Sequence, residues 1–368
     1  MRFVLPLVGL TAACASSALA QVRYDKTVEL PVAGAEEVRI VNRLGSVVVS
    51  GWDRAEVRVT ATKQAPDAEL GERLRVEVSS RNGAQIDVQT YIRLQPPLSP
   101  DVRALLEDLM QRQANAAQRL LGSERDREAA RKEMRRIQLE LAELGRRMAT
   151  APRPAQQDLS VPVTEGRVDL ELRVPRQLRV TARTFRHGIA LTGCRGGADL
   201  SSEEGELRVE DTRGDVATRS QHGRQALLRV AGRVDLRGGA GDVTLRELTG
   251  PVHAVVFSGR IDARRLGART ANLKTVRGEV RVDGDVPAGG GYVVLSRDGR
   301  VTAYLPRKPS LRLETHAPAV VASDPRLRER LRRAPPQALR LGGGRGELSL
   351  QSLRGVVRLV LETDPTEE

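Results

Sequence analysis

The chain has 368 residues, of which 60 are basic and 47 acidic, so its formal net charge at pH 7 is +13. One tryptophan, four tyrosines, three phenylalanines and two cysteines are too few for a base-stacking platform or a disulfide framework. The length allows one long domain or two. The basic excess indicates an anionic partner or a compositional bias, because acidic residues are interspersed with it, and no nucleic-acid partner is expected.

The first residues are typical of a secretory signal peptide. Arg2 precedes an apolar run over 3–15, and a small-x-small site ends at Ala20. We therefore predict a signal peptide at 1–20 and an exported chain in the periplasm or at the cell surface. The alternative is a lipoprotein box ending at Cys14, with lipid anchoring there. The apolar run is shorter than the about 20 residues of a membrane helix, and no transmembrane segment is predicted in the mature chain.

A block of short β-strands is predicted over residues 21–98. Aliphatic and polar residues alternate in the segments 38–41, 45–49, 57–59, 74–78 and 86–94. Alternation at period two places the aliphatic side chains on one face of each strand, which is typical of a half-buried sheet. A turn is expected at 51–54, and prolines close the block before residue 100.

Residues 99–151 have a helical pattern instead. Apolar residues recur at spacings of three and four on both sides of Gly122. One unbroken helix would end too far away for the following segment to return to the sheet, so we predict two antiparallel helices of coiled-coil type, unless a helix is exchanged between subunits. This inserted α-helical hairpin either binds an envelope protein or packs only on itself. The candidate partner-binding residues are Leu106, Leu109, Leu120, Met134, Ile137, Leu141, Leu144 and Met148.

A glycine recurs every nine residues in the third segment, 152–362. The structural repeat consists of Gly205, Gly214, Gly223, Gly232, Gly241, Gly250 and Gly259. Aliphatic residues follow most of these glycines at the second and fourth positions, so each nine-residue unit is a short strand and a turn. Such a unit cannot bury its own apolar face, and stacking successive units buries a continuous column. We predict an all-β fold, a β-solenoid (β-helix) with two units in each coil; a sandwich of antiparallel hairpins is the alternative.

Two terminal segments complete the chain. Residues 323–336 are predicted to form a basic excursion before the last strands, either an anion-binding patch or a solvated loop. Residues 363–368 are predicted to be a disordered tail.

No motif indicates catalysis. The four histidines, His187, His222, His253 and His316, include no pair at a metal-ligand spacing. Outward carboxylates are expected at Asp215, Asp235, Asp242 and Asp262, each alternating with arginines as on a solvated sheet face. We therefore predict a protein that is not an enzyme and has no catalytic residues, no metal and no cofactor. A carbohydrate-active β-helix enzyme is the less favoured alternative, because aromatic platforms are scarce.

The alternating segments resemble a known family. The stretch 38–59, the later Gly-x-Val-x-Val units and the closing strands at 301–315 are similar to a bacterial family of adhesin-like β-strand-repeat proteins of unknown function, related in style to autotransporter adhesin heads. The similarity covers 28–94 and 167–362. It implies a right-handed parallel β-solenoid in the cell envelope, with no catalytic residues to assign. The helical insertion departs from that pattern.

These expectations converge on a non-enzymatic, exported envelope protein that is an adhesin-like scaffold or a protein-interaction module. The alternative function is adhesion to anionic surface polymers, lipopolysaccharide or lipid headgroups through arginine-rich faces.

Overall fold

The computed structural model describes residues 22–32, 34–81, 84–92, 100–119, 124–150, 166–333 and 338–361. The predicted signal peptide at 1–20, the lipidation candidate Cys14, Leu120 and the predicted tail at 363–368 lie outside these ranges. Among the described helices, none is long and apolar enough to cross a membrane.

Twenty-six strands and four helices make up the described part. The strands before the insertion are β1 (Val22–Pro31), β2 (Glu37–Asn42), β3 (Val47–Trp52), β4 (Glu56–Ala65), β5 (Leu74–Arg81) and β6 (Gln85–Ile92). The helices are α1 (Ala68–Arg73), α2 (Pro100–Arg119), α3 (Glu124–Thr150) and α4 (Pro325–Arg333).

The strands after the insertion are short and closely spaced. They are β7 (Arg167–Pro175), β8 (Arg179–Thr184), β9 (Ile189–Thr192), β10 (Ala198–Ser202), β11 (Leu207–Arg213), β12 (Val216–His222), β13 (Gln225–Ala231), β14 (Val234–Ala240), β15 (Val243–Arg246), β16 (Val252–Ser258), β17 (Ile261–Arg264), β18 (Thr270–Arg277), β19 (Val280–Asp283), β20 (Gly291–Ser296), β21 (Val301–Leu305), β22 (Leu311–His316), β23 (Ala319–Ala322), β24 (Leu339–Leu341), β25 (Gly346–Ser352) and β26 (Val356–Leu361).

Two sheets of thirteen described strands each contain all of these. Sheet A has the order β1-β4-β7-β3-β9-β11-β13-β15-β17-β19-β21-β26-β23, and sheet B has the order β24-β22-β25-β20-β18-β16-β14-β12-β10-β8-β2-β6-β5. The predicted all-β class is confirmed, because strands dominate and both sheets are rich in parallel pairs.

The run from β8 to β21, called the strand stack below, alternates between the sheets. Odd-numbered strands join sheet A and even-numbered strands join sheet B. Leu207 pairs with Gln225 in sheet A, and Val216 pairs with Val234 in sheet B, both in parallel. From β8 to β17, paired residues are thus equivalent residues two glycine units apart, a relation called the two-unit register below. Parallel pairing through this run differs from the antiparallel-hairpin sandwich that was the alternative.

The glycine repeat marks the corners between the two sheets. Gly223 and Gly241 have φ of 146° and 139°, a region that side chains rarely adopt. A Cβ added at Gly241 would overlap the carbonyl oxygen of Gly223, and one at Gly223 would overlap that of Gly205. Each of these corners therefore lies directly on the corner two units earlier, and no side chain larger than hydrogen fits between them.

The apolar positions after each glycine point into the space between the sheets. Val209, Leu236 and Leu245 are fully buried, and they belong to one cluster that runs from Val38 to Leu359. Burial of this continuous column is the main source of stability expected for a stack whose single units are too small to fold alone.

The strands before and just after the insertion differ from the prediction of uniformly stacked units. β4 runs antiparallel to β1 and to β7, and β5 runs antiparallel to β6. Only residues 53–55 separate β3 from β4, and so short a connection has to reverse the chain. β7 then enters between β3 and β4 when the chain returns from the insertion.

The helices α2 and α3 pack on each other. Leu109, Ala116, Ala130 and Ile137 are at most 2% exposed and stand outside the main core cluster, so they form a small core of their own. Arg112 of α2 bonds to Glu133 and Glu140 of α3 at 2.7 and 3.1 Å.

The basic segment near the C-terminus contains a helix, α4, where a solvated loop was one expectation. Asp324 caps it, since its carboxylate accepts the backbone N–H of Leu327 at 2.7 Å, and Pro325 occupies the first turn. Leu327 is 5% exposed and Leu331 is partly buried against the core, and their spacing of four places them on one face. The spacing of Leu327 and Leu331 and the cap at Asp324 therefore favour a helix in this arginine-rich segment.

Candidate interaction surfaces

The two-unit register places equivalent side chains in columns along both sheets. The clearest column contains Asp211, Arg229, Glu247 and Arg265, which share φ between 50° and 57°. Arg229 bonds to both carboxylate oxygens of Asp211 at 2.5 and 2.9 Å, and Arg265 bonds to Glu247 at 2.9 Å. The hydrogen bond from Arg229 holds the pKa of Asp211 below its usual value.

This column has a structural role. The left-handed residue bends the chain, and the residue after it is buried in each of these repeats: Thr212, Val230, Leu248 and Leu266. Charges of alternating sign then let neighbouring repeats pair instead of repel. The sequence carries a signal for this column, an alternation of acid and arginine in every second glycine unit, which the nine-residue period concealed.

A second charged group lies on the outer face of sheet A. Arg264 bonds to Asp262 at 3.0 Å and lies 5.0 Å from the centre of the Tyr304 ring, while Arg281 bonds to Glu279 at 3.0 Å. Each of these two carboxylates therefore has an arginine partner. Among the described residues no group of three or more His, Cys, Asp or Glu has the arrangement of a metal site.

The four carboxylates expected to face outward do not gather at one place. Asp215 and Asp242 are exposed at corners, where each accepts a backbone N–H, from Arg233 and Arg260 respectively, at 3.0 Å. Asp235 and Asp262 lie on opposite sheets and are half-buried. The two corner carboxylates connect one repeat to the next, a role that does not require proximity between them.

Cys194 is fully buried, and its thiol lies 3.8 Å from the carbonyl oxygen of Thr192. Burial raises the pKa of this thiol to about 11, so it stays protonated at neutral pH. This thiol is therefore a packing group, and its position gives it no access to a soluble substrate.

The hairpin residues fall into separate groups. Leu109 and Ile137 are 1% exposed inside the hairpin, and Met134 is half-buried. Among the described side chains of the hairpin, the exposed large apolar ones are instead Met110 and Leu139, each 68% exposed, and Leu105, 44% exposed. The side chains of Leu106, Leu141, Leu144 and Met148 lie outside the described part.

Helix α4 carries exposed arginines on both sides of its buried leucines. Arg326, Arg328, Arg330 and Arg332 are exposed. Arg328 donates to the carbonyl of Ala322 at 3.1 Å and Arg330 to that of Arg340 at 2.8 Å, which fixes the helix to neighbouring strands. The helix therefore holds an array of cationic groups in a set position.

A groove of about 1110 Å³ lies along sheet B, where β10, β12, β14 and β16 approach their corners. Its lining includes Arg219, Arg237, His222, His253 and Phe257. Sequence spacing indicates no relation between the two histidines, and the two-unit register brings them to this groove from β12 and β16. This groove was not predicted.

Comparisons with known proteins give little guidance. No protein-family model and no curated protein matches the chain. A crystal structure described as a "putative cell adhesion protein" from Clostridium sporogenes ATCC 15579 aligns with 93% of this chain and 100% of its own, at 8% identity and a TM-score of 0.22. A likeness of this size carries no argument about fold or function.

Proposed function

We propose that this protein is a non-enzymatic, exported, adhesin-like scaffold of the cell envelope, built as a right-handed parallel β-solenoid. The observation that supports this most is the constant two-unit parallel register, which holds from β8 to β17 in both sheets. Two glycine units in each coil would produce this register, and α4 would cover one end of the coil column.

A scaffold of this kind works by holding side chains at fixed positions. Parallel neighbours lie about 4.8 Å apart, and each outward column repeats at this spacing. The steric contact between glycine corners leaves neighbouring repeats little freedom to slide. Such a surface suits recognition of extended partners, which contact several repeats at once.

The helical hairpin is proposed as the site for an envelope protein partner. The hairpin buries Leu109 and Ile137 within itself, so it has a small core of its own, and it still exposes Met110 and Leu139. Large apolar side chains that a small helical element leaves in water favour protein–protein contact.

Crosslinking in cells tests this proposal. Three tagged forms are compared: the intact protein, a deletion of residues 103–147, and the double variant Met110→Ser/Leu139→Ser. A partner captured by the intact protein and lost from both altered forms supports the hairpin site. Leu353→Ser is the matched control, because Leu353 is 58% exposed on the β body. Capture that persists in the deletion contradicts the hairpin site.

The second candidate function is adhesion to anionic polymers, lipopolysaccharide or lipid headgroups. It is favoured by the fixed arginines on α4. We expect the full mature chain to bind phosphatidylglycerol vesicles and purified lipopolysaccharide, and to bind less as salt rises, because charges at the surface are screened. Replacing Arg326, Arg330 and Arg332 by serine weakens this binding.

Phosphatidylcholine vesicles are the neutral control for the lipid. Arg208→Ser is the control for the variant, because Arg208 is an exposed arginine of sheet A. Equal binding to neutral and anionic vesicles, or no effect of the triple variant, rules out α4 as the anionic site.

A further inference from the structure

Two exposed phenylalanines stand on one column of sheet B. The register pairs Thr184 with Ser202 and continues through Ser220 and Gly238 to Val256, one strand at a time. One position further along the chain, where β8 and β10 have ended, the equivalent residues are Phe185, Glu203, Gln221, Gly239 and Phe257. Backbone contact continues there, since the N–H of Glu203 donates to the carbonyl of Phe185 at 3.2 Å. The two ends of this column are four strand spacings apart, about 19 Å.

Each ring has a guanidinium group over it. Arg186 lies 5.8 Å from the centre of Phe185, and Arg277 lies 5.7 Å from that of Phe257. The rings are nevertheless 42% and 53% exposed. In a chain with so few aromatic residues, each end of this column thus has an apolar platform next to a cation.

Between the platforms the surface is recessed. Gly239 and Ala240 line the groove, and a Cβ on Gly239 would lie 2.5 Å from the carbonyl oxygen of Gln221. Backbone proximity therefore requires glycine at this point.

Arginines from adjacent strands line the same recess. Arg219 contacts Asp199 at 2.9 Å and Arg237 contacts Asp235 at 3.5 Å, yet their side chains are 50% and 64% exposed. Each guanidinium has five donors, so one carboxylate partner leaves others available. Glu203 is the acidic side chain of the lining, and Asp199 and Asp235 contact the two arginines from beside it.

We infer that this groove, together with Phe185 beyond its end, binds a linear acidic polysaccharide laid along the stack, with sugar rings on Phe185 and Phe257 and carboxylates at Arg219 and Arg237. Flat apolar rings match the faces of sugars, and guanidinium groups match their carboxylates. A peptide strand is disfavoured, because β12, β14 and β16 already pair on both sides and offer no free edge. The inference rests on the proposed display function and names its ligand class.

The test uses the full mature chain and galacturonate, alginate and hyaluronan oligomers in titration calorimetry. Disaccharides are shorter than the column, and hexasaccharides exceed it. We expect the longer oligomers of at least one series to bind and the shorter ones to bind far more weakly. Methyl esterification, which removes the carboxylate charge, is expected to abolish binding.

Variants locate the site. Phe257→Ala and Arg237→Ala are each expected to weaken binding on the order of tenfold, as loss of one strong contact does. Arg208→Ala is the matched control: Arg208 is 60% exposed and contacts Glu210 of the same strand, but lies on sheet A. Circular dichroism melts confirm that all variants fold.

Three results would overturn the inference: no binding by any of the acidic oligomers, equal binding of the esterified ones, or equal effects of Arg237→Ala and Arg208→Ala. A partner still captured through the hairpin would then leave the display function standing, so the two failures are distinguishable.

Discussion

At the scale of single residues, the glycine repeat has a steric cause. Gly241 has no room for a Cβ, because the carbonyl of Gly223 occupies that position, and its φ of 139° disfavours side chains. Some corners are also held by a serine side chain. Ser296 donates to the carbonyl of Gly278 at 2.9 Å, and Ser352 donates to that of Gly299 at 2.7 Å.

Substitution at a corner should therefore be costly. We expect Gly241→Ala to lower the free energy of unfolding by about 2–4 kcal/mol, through strain and displacement of the neighbouring backbone. Gly291→Ala is the control, since a Cβ there meets nothing within 4 Å and φ is unstrained. Urea unfolding measures both, and equal losses would show that the corner contact is not responsible.

The aromatic column is not visible in the sequence as a local pattern. Phe185 and Phe257 are separated by four steps of the two-unit register that relates strands such as β12 and β14. The glycine period of nine is visible in the sequence. Residues that pair across strands lie two such periods apart, because successive strands alternate between the two sheets. That alternation is a property of the tertiary structure.

At the scale of elements, the hairpin and the strand stack have separate cores. Leu109 and Ile137 are buried in the hairpin but stand outside the main cluster. The apolar spacing in the sequence placed these two residues on one face of each helix. It could not distinguish a residue that packs inside the hairpin from one that contacts a partner. That distinction depends on which side of each helix faces the other.

Ile137→Ala should loosen the hairpin alone. We expect it to destabilise the packed helices by about 2–4 kcal/mol, because it leaves a cavity. Helical circular dichroism should then fall at a lower temperature, while Cys194, buried in the strand stack, stays protected from thiol reagents. Leu139→Ala, at a position 68% exposed, is the control with little expected effect. Loss of Cys194 protection together with the helical signal would contradict separate cores.

At the scale of the whole molecule, stability should depend on pH through His187. Burial lowers its pKa below the ordinary value of 6.5, helped by the charges of Arg167 and Arg186 and opposed by Asp169. The unfolded chain then binds a proton at higher pH than the folded chain does. The contribution of His187 to the free energy of unfolding is therefore present above pH 6.5. It is lost as pH falls through the folded-state pKa.

Thermal unfolding temperatures at neutral and at mildly acidic pH measure this contribution. We expect the fall on acidification to be smaller in His187→Gln than in the unaltered protein. His316→Gln, at an exposed position, is the comparison. An unchanged fall in His187→Gln would assign the acid sensitivity to other groups.

The sequence by itself determined the all-β class, the positions of the tight corners and the presence of two helices in the insertion. These follow from local causes, namely alternation of side chains along a strand, steric exclusion at glycine and apolar spacing along a helix. The tertiary structure decided which strands are antiparallel, where β7 enters, that the basic segment forms α4, and that Phe185, Arg237 and Phe257 share one surface. Those outcomes depend on pairing between residues distant in sequence, which no local pattern records.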